Sequence, residues 1–150
     1  MANHLRRQIR EAAVTAVTGL ATTGARVFKN RVYPLQDSEL PALVIATNDE
    51  AISSETAPRP RSQQRELALV IEAVAKANDD LDDTLDQIAK EVEIALAANG
   101  QAWLAGIAKW ASLSQIEIEL RGESEKVTGS ARLTYLVTYM ALETAPDVAL

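Results

Sequence analysis

The stretch ARLTYLVTYMAL, residues 131–142, is the feature that most constrains the fold of this chain. Apolar side chains occupy every second position from Ala131 to Tyr139, and an arginine and two threonines lie between them. Because successive side chains of a β-strand point to opposite faces, this alternation predicts a strand with one face on a hydrophobic core. Leu136 and Met140 are apolar on the other face, which a strand with one solvent-exposed face does not require.

Three more stretches have the pattern of strands. Residues 65–76, RELALVIEAVAK, and residues 114–123, SQIEIELRGE, alternate between apolar and polar positions, and their apolar side chains are expected to point inward. Residues 40–47, LPALVIAT, form a continuous apolar run that is typical of a buried strand. The stretch ARVFKNRVYPL, residues 25–35, predicts one or two shorter strands.

Two segments have the periodicity of amphipathic helices. The first is predicted to be capped by Asn3 and to end near Gly19 or Gly24, and the second covers residues 78–100, with aspartates in its first turn and an Asn-Gly stop. The apolar positions of the first are Leu5, Ile9, Ala13, Ala16, Val17 and Leu20. Two such helices and about four long one-sided strands predict an α+β fold, in which both helices pack on one face of an antiparallel or mixed sheet.

The composition is that of a single globular domain spanning residues 1–150. With 47% hydrophobic and 24% charged residues, the chain does not belong to the disordered class. Its net charge of −6 argues against a general nucleic-acid binder. The absence of cysteine excludes disulfides and thiolate metal sites, and no stretch approaches the roughly 18 apolar residues of a membrane span. The sequence therefore predicts a product that stays in the cytoplasm in which it is made.

The residues that could carry catalysis all have simpler structural interpretations. His4 is the only histidine and has no identifiable partner for a triad or a metal site, so we expect it to be exposed and inert. The acidic cluster Asp79–Asp86 lacks the glycine and the terminal glutamate of a calcium loop, and its place at a helix start explains it. Glu117 and Glu119 lie on the solvent-exposed face of a predicted strand. The sequence predicts no enzyme activity, no cofactor and no metal site.

The polar stretch NDEAISSETAPRPRSQQ, residues 48–64, has no hydrophobic period and is predicted to be a long flexible loop. Long loops on a rigid scaffold often carry binding functions, so this loop is a candidate for partner binding. A passive surface loop is the equally supported alternative. The candidate partner-binding residues are Glu50, Ser53, Ser54, Glu55, Arg59 and Arg61.

The order of these segments resembles the tail terminator family of long-tailed bacteriophages, the minor tail protein U type of lambda-like phages. The resemblance covers nearly the whole chain and rests on the first helix, RVYPLQDSELPALVI, the polar loop, RELALVIEAVA, the helix beginning DDLDDTLDQIAKEV, and the closing ARLTYLVTYMAL. Two segments depart from the family pattern. They are residues 101–114 and a short C-terminal tail at residues 143–150. In the first of them, Trp103 and Trp110 are expected to be core or packing anchors, with partner binding as the lesser alternative.

This resemblance implies a structural subunit of the virion and no catalysis. It implies a homo-hexameric ring at the head-proximal end of the tail, assembled in the host cytoplasm, that stops tube polymerisation and provides the surface for head joining. The implied partners are further copies of the chain, the major tail tube protein, a head-tail joining or head completion protein and, as a further candidate, the tape measure protein. DNA would pass through the channel without sequence-specific binding. In such a ring Leu136 and Met140 are candidate subunit-interface residues.

Two other classes of function stay open at this level. The first is an oligomeric small-ligand-binding α+β regulatory domain, and the second is a metal-dependent hydrolase that uses the cluster Asp79–Asp86. A gene position among head-joining and tail tube genes would favour a tail terminator over both.

Overall fold

The computed structural model describes residues 2–29, 35–76, 78–123 and 126–150. The described part contains two helices and six strands, so the predicted α+β class is compatible with it, and two short strands are added to the four long ones. In chain order they are α1 (Leu5–Val17), β1 (Val27–Lys29), β2 (Ala42–Ser54), β3 (Ser62–Lys76), α2 (Leu81–Gln101), β4 (Trp110–Glu123), β5 (Lys126–Leu142) and β6 (Ala145–Ala149). Residues 30–34 of the predicted stretch 25–35 lie outside the described residues.

The strands form one mixed sheet in the order β1-β2-β3-β5-β4, with β6 paired to β5. β1 pairs parallel to β2, and the other pairs are antiparallel. The central strands β3 and β5 pair continuously, from Ser62 opposite Leu142 to Lys76 opposite Thr128. β1 and β4 therefore lie at opposite edges of the sheet.

One face of the sheet is buried beneath both helices, and β5 supplies its centre. Leu133, Val137 and Tyr139 are fully buried on this face, whereas Leu136 and Met140 lie on the other face and are partly exposed. The predicted assignment of the two faces of β5 is therefore confirmed. The helices complete the core with Leu5, Ile9, Ala13 and Val17 from α1 and with Leu81, Leu85, Ile88, Ala89, Val92 and Leu96 from α2.

The N-cap of α1 is His4. Its Nδ1 atom accepts a hydrogen bond from the backbone N–H of Arg6 at 3.1 Å, which satisfies one of the amide donors that have no partner within the helix. The prediction of Asn3 as the cap is wrong by one residue, because the side-chain oxygen of Asn3 accepts from Nη1 of Arg7 at 3.2 Å. The helix ends just before the predicted Gly19.

The Asn-Gly stop of α2 is confirmed. The backbone leaves the helical region at Ala98, and φ is 53° at Asn99 and 63° at Gly100, a left-handed conformation that these two residue types adopt most readily, so the regular helix ends before the last residues of the range given above. Beyond the stop, Trp103 packs against the core and donates from Nε1 to the carbonyl oxygen of Leu96 at 2.9 Å, so it is a packing anchor. Trp110 is 53% exposed, so the same expectation is wrong for it.

Two segments that were predicted to be irregular contain strands. β2 and β3 extend into the predicted loop 48–64, so only residues 55–61 connect them, and the predicted loop is wrong in extent. Polar residues can hold such pairing because the ladder is made by main-chain hydrogen bonds to the neighbouring strand. The C-terminal tail 143–150 contains β6, and beyond this strand the N–H of Leu150 donates to the carbonyl oxygen of Met140 at 2.9 Å.

A β-bulge in β2 decides which hairpin side chains face the core. Thr47 lies opposite Leu69, and Glu50 lies opposite Leu67, so two residues of β2 face one residue of β3 between these pairs. The bulge shifts the alternation by one residue and turns Glu50, rather than Asp49, toward the helix-covered face. A glutamate is thereby placed at the margin of the core.

Candidate assembly surfaces

The hairpin of β2 and β3 ends in a connecting segment, residues 55–61, which we call the hairpin tip. Its base is held by local hydrogen bonds, because the N–H of Ser62 donates to Oγ1 of Thr56 at 3.0 Å. The N–H of Arg61 donates to Oε1 of Glu143 at 2.9 Å, and the N–H of Glu143 donates back to the carbonyl oxygen of Arg61 at 2.9 Å. The tip is thus attached both to its own strands and to the turn between β5 and β6.

Five of the six predicted partner-binding residues lie at this tip or on the adjoining end of β2. Ser53, Ser54, Glu55 and Arg59 are exposed, and Arg61 is partly exposed. The hydroxyl of Ser53 donates to Oε1 of Glu55 at 3.1 Å. The structure brings these residues together on one element, and their role in binding a partner stays a prediction.

Glu50 is the sixth of these residues, and the structure places it inside the protein. Its side chain is 5% exposed and accepts hydrogen bonds from the hydroxyl of Tyr139 and from Nη1 of Arg65, the latter at 3.3 Å. The Nε atom of Arg6 in α1 lies 3.5 Å from its Oε2 atom. The prediction of a loop position for Glu50 is therefore wrong, because the bulge in β2 turns this side chain toward the core.

Arg65 completes the buried cluster from β3. Its side chain is 11% exposed, it donates from Nη2 to Oε1 of Gln63 at 2.7 Å, and its Nη1 atom lies 3.5 Å from Nε2 of His4. Partial burial and the charge of Arg6 lower the pKa of His4, so the imidazole is neutral at pH 7 and its Nδ1 atom can accept the capping hydrogen bond. The predicted exposure of His4 is wrong, since it is partly buried at this helix start.

The electrostatics of this cluster suit a structural role, in which it holds neighbouring elements together. Burial, together with the hydrogen bond to the Glu50 carboxylate, raises the pKa of Tyr139, so its hydroxyl stays protonated and acts as a donor. Oε2 of Glu50 and Nε of Arg65 are buried without a hydrogen-bond partner among the described residues. The pairing of opposite charges offsets this desolvation, so the cluster holds together only as a set. It holds the part of the hairpin around Glu50 and Arg65 to α1 and β5.

The sheet face away from the helices is a second candidate surface. Trp110 lies opposite Thr138, and Ser112 lies opposite Leu136, so the exposed tryptophan shares this face with Leu136 and Met140. Leu136 and Met140 are partly exposed. Their predicted role as subunit-interface residues is compatible with this position and stays a prediction, and the structure adds Trp110 to the same face.

The edge strand β4 carries a third surface, which we call the β4 strip: Ile116, Ile118 and Leu120. Ile116 lies opposite Leu133 and Ile118 lies opposite Ala131, so the strip shares its face with the core. Its residues are nevertheless 42%, 52% and 69% exposed in chain order. The expected inward direction is correct, and the expected burial is wrong, because α1 packs on β2 and α2 packs on β3 and β5, which leaves β4 at the margin.

The acidic cluster Asp79–Asp86 lies at the start of α2, where Asp82 and Asp83 in the first turn complement the helix dipole. The N–H of Asp80 donates to Oδ1 of Asn78 at 2.9 Å. In the described ranges, no group of three or more histidine or acidic side chains is arranged to hold a metal ion. No helix in that same part of the chain is long and apolar enough to cross a membrane.

The buried pair Glu50–Arg65 and the exposed β4 strip are the features that sequence patterns missed. Glu50 follows one apolar run and Arg65 precedes the next, and opposite charges at the facing ends of two paired strands could have indicated an ion pair. The bulge that aligns them leaves no pattern that we can identify in the sequence. The exposure of the strip depends on which strand lies at the sheet edge, which alternation does not determine.

The comparisons with known proteins concern nearly the whole fold. A family model described as phage minor tail protein U matches residues 4–139. Among curated protein sequences, none matches the chain. Among solved structures, the chain is similar to a chain in the virion of a native gene transfer agent particle, with a TM-score of 0.50, 16% sequence identity, and 92% of each chain covered. At this identity the likeness is one of fold.

Proposed function

Because the chain belongs to the phage minor tail protein U family, we propose that it is a tail terminator. Membership of this family gives the chain a structural role in a phage tail. In the proposed function, copies of the chain form a hexameric ring on the head-proximal end of the tail tube. The ring stops tube polymerisation and presents the surface to which the head joins.

The observation that carries this proposal is the extent of the family match. Residues 4–139 include both helices, the hairpin and nearly all of β5, so the match concerns the folded unit and not one short motif. The similarity in fold to a chain of a gene transfer agent virion supports the proposal, because that particle is itself a virion.

The hairpin tip is suited to contact the end of the tail tube. The Glu50–Arg65 cluster holds the strands below the tip to α1 and β5, so the tip is an adaptable segment on a rigid support. Arg59 and Arg61 supply positive charge that can pair with acidic or polar groups of the major tail tube protein. Ordering the tip in that contact loses less entropy because Pro58 and Pro60 already restrict it.

The remaining proposed contacts follow from the position of a ring between tail and head. One surface meets a head-tail joining or head completion protein, the tape measure protein is a further candidate on the tube side, and DNA passes through the central channel. A structural tail family implies a role without catalysis. We therefore propose that the protein acts by binding alone, as a virion component that assembles in the host cytoplasm.

Deletion of the gene for this chain from its own phage, followed by complementation, tests the proposal. We expect wild-type protein to restore infectious particles and a single tail length, whereas the deletion alone gives tails of uncontrolled length or tails without heads. The variant Leu133→Asp is the negative control, because an unpaired charge in the core prevents folding. Tails of normal length joined to heads in the deletion phage would contradict the terminator function.

A further inference from the structure

The β4 strip lies at one margin of the helix-covered face, and the residues around it are acidic, whereas the opposite margin at β1 is basic. We propose that these two margins bind each other head to tail between copies of this chain, so that the β4 strip of one subunit is covered by the α1 side of the next. This inference rests on the proposed function, since it names the contact that would build the ring.

The β4 strip has the properties of a covered surface. Its three residues are alternate positions of one strand, so they form an apolar column about 14 Å long at a rise of about 3.4 Å per residue. All three are more than 40% exposed in the single chain. In the described part of the chain β4 pairs only with β5, and a long apolar edge strand of this kind promotes uncontrolled association unless a specific partner covers it.

The start of helix α2 lies next to one end of this strip. Its first residue, Leu81, packs over Gly129, because a Cβ atom at Gly129 would lie 2.6 Å from Cδ2 of Leu81. Gly129 lies opposite Leu120 in the sheet, so the start of the helix is next to the most exposed end of the strip. The far end of the strip is close to Tyr135, which lies opposite Leu113 of β4.

An acidic side of α2 faces the strip. Asp82, Asp86 and Glu93 are spaced by four and seven residues, which places them on one side of the helix. Glu91, on the other side of this helix, accepts hydrogen bonds from Thr22, which follows α1, so the side with the three acidic residues faces away from α1 and toward the β5 and β4 end of the sheet. In keeping with this, burial, with a contribution from the charge of Glu93, raises the pKa of Tyr135 in β5 to about 12. The whole helix carries five acidic residues and one lysine. The apolar column is therefore flanked by negative charge.

The opposite margin has the complementary charge. Nε of Arg7 lies 2.8 Å from Oε1 of Glu11, and Nζ of Lys29, which belongs to β1, lies 3.6 Å from the same oxygen. The two basic side chains are 55% and 50% exposed, and they share one carboxylate, so this cluster of Arg7, Glu11 and Lys29 is positive. Val14 lies on the same side of α1 and is partly exposed, which provides an apolar group for the strip.

The sheet order separates these two margins. β1 and β4 are the outer strands, so the basic cluster and the acidic apolar margin lie on opposite sides of the subunit. A contact between two different surfaces of the same chain is heterologous, and such contacts close into a ring when the rotation between subunits permits it. Because charged groups flank the contact, its strength should fall as the salt concentration rises.

Sedimentation velocity over a range of protein concentrations, with cross-linking on tail tubes as a parallel readout, tests the contact. We expect the wild type to form assemblies larger than a dimer and Ile118→Glu to weaken the association by at least about tenfold. The matched control is Ile94→Glu, which makes the same change at an isoleucine of α2 that is 60% exposed and opposite the buried side. This control should associate like the wild type, and circular dichroism should show both variants folded.

A charge exchange gives a second, independent test of the same contact. Asp86→Lys and Arg7→Glu should each weaken the association, and the variant with both changes should recover it, because every interface then contains the reversed pair. The proposal would be overturned if Ile118→Glu associates normally, or if only Leu136→Glu, on the sheet face away from the helices, loses association. The proposal would also be overturned by a wild type that stays monomeric both free and on tubes. The same holds if substitutions in the β4 strip abolish binding to tube protein and leave self-association unchanged.

Tube growth measured on the same variants separates this inference from the terminator function. If the wild type self-associates through the β4 strip and does not stop tube growth, the contact stands and the terminator function fails. If the wild type stops tube growth and Ile118→Glu self-associates normally, the terminator function stands and the proposed contact fails.

Discussion

At the scale of single residues, Glu50 shows how backbone geometry changes the role of a side chain. In a regular strand the alternation of β2 would turn Asp49 toward the helices, and the bulge after Thr47 turns Glu50 there instead. A carboxylate that would bind a partner from an exposed loop becomes an internal partner of Arg65 and Tyr139. The sequence could predict the strand, and it could not predict the bulge, because the bulge depends on pairing with β3.

The buried pair makes a quantitative prediction for stability. Glu50→Leu or Arg65→Met alone should lower the free energy of unfolding by about 3–5 kcal/mol, because each leaves the other charge buried without its buried partner, and the half-exposed Arg6 compensates Glu50 only in part. The double variant should lose much less than the sum of the two. Tyr139→Phe is the milder control, since it removes one hydrogen bond to the Glu50 carboxylate and should cost about 1.5–3 kcal/mol. Urea unfolding measures all four values, and additive losses would show that the pair is not coupled.

A second residue-scale prediction concerns stability in acid. Although partial burial raises the pKa of Glu91, hydrogen bonds from the hydroxyl and the N–H of Thr22, at 2.6 and 2.9 Å, and one from Gln87 hold it below its usual value. A carboxylate with a lowered folded-state pKa stabilises the fold above its unfolded-state pKa. That stabilisation is lost as the pH falls through the folded-state pKa.

We therefore expect Glu91→Gln to be less stable than the wild type at pH 7, by about 1–2 kcal/mol, and nearly equal to it once the pH is below the folded-state pKa of Glu91. Thermal unfolding followed at a series of pH values gives the comparison. Glu66→Gln, which removes an exposed carboxylate of β3, is the control and should follow the wild-type curve. If the difference in stability between Glu91→Gln and the wild type is the same at every pH, the proposed contribution of the ionised carboxylate is ruled out.

At the scale of secondary-structure elements, those with a strong local period were predictable. The alternation in β5 and the three- and four-residue spacing in α1 and α2 identified the core faces, because these periods are set by the local backbone. The ends of β2 and β3 were not predictable, since their polar residues pair through the main chain of neighbouring strands. The exposure of the β4 strip was missed for a related reason: it depends on sheet order, a non-local property.

The hairpin tip gives the element-scale prediction. Replacing residues 56–61 by Asn-Gly should leave the fold intact, because the N–H of Glu55 already donates to the carbonyl oxygen of Ser62 at 2.8 Å and a two-residue turn closes such a hairpin. The loss of the contact between Arg61 and Glu143 should cost about 1 kcal/mol. In phage complementation, we expect this variant to give tails of abnormal length or tails that do not join heads.

The double variant Arg59→Glu, Arg61→Glu keeps the length of the tip and reverses its charge, so it separates the effect of charge from that of length. Loss of function in both variants would assign tube binding to the arginines, and loss only in the shortened hairpin would assign it to the reach of the tip. Normal numbers of infectious particles with normal tails from both variants would show that the tip is passive.

At the scale of the whole molecule, the helices in the described part of the chain leave two regions of the sheet uncovered. They cover β2, β3 and β5, and they leave the β4 strip at one margin and the open sheet face with Trp110 and Leu136 uncovered. A subunit with charged and apolar surfaces on several sides is suited to stand between copies of itself and other proteins. The role of a ring between tail tube and head requires such a distribution of surfaces.

Electron microscopy of purified protein mixed with tail tubes of its own phage tests the terminator function most directly. We expect a ring-shaped cap at one end of each tube, the end that faces the head in the virion, and no further growth when tube protein is added. Leu133→Asp, which is not expected to fold, should leave the tubes uncapped and growing. Tubes that continue to grow at both ends with folded wild-type protein present, or protein bound along their sides without an end cap, would contradict the function proposed for this chain.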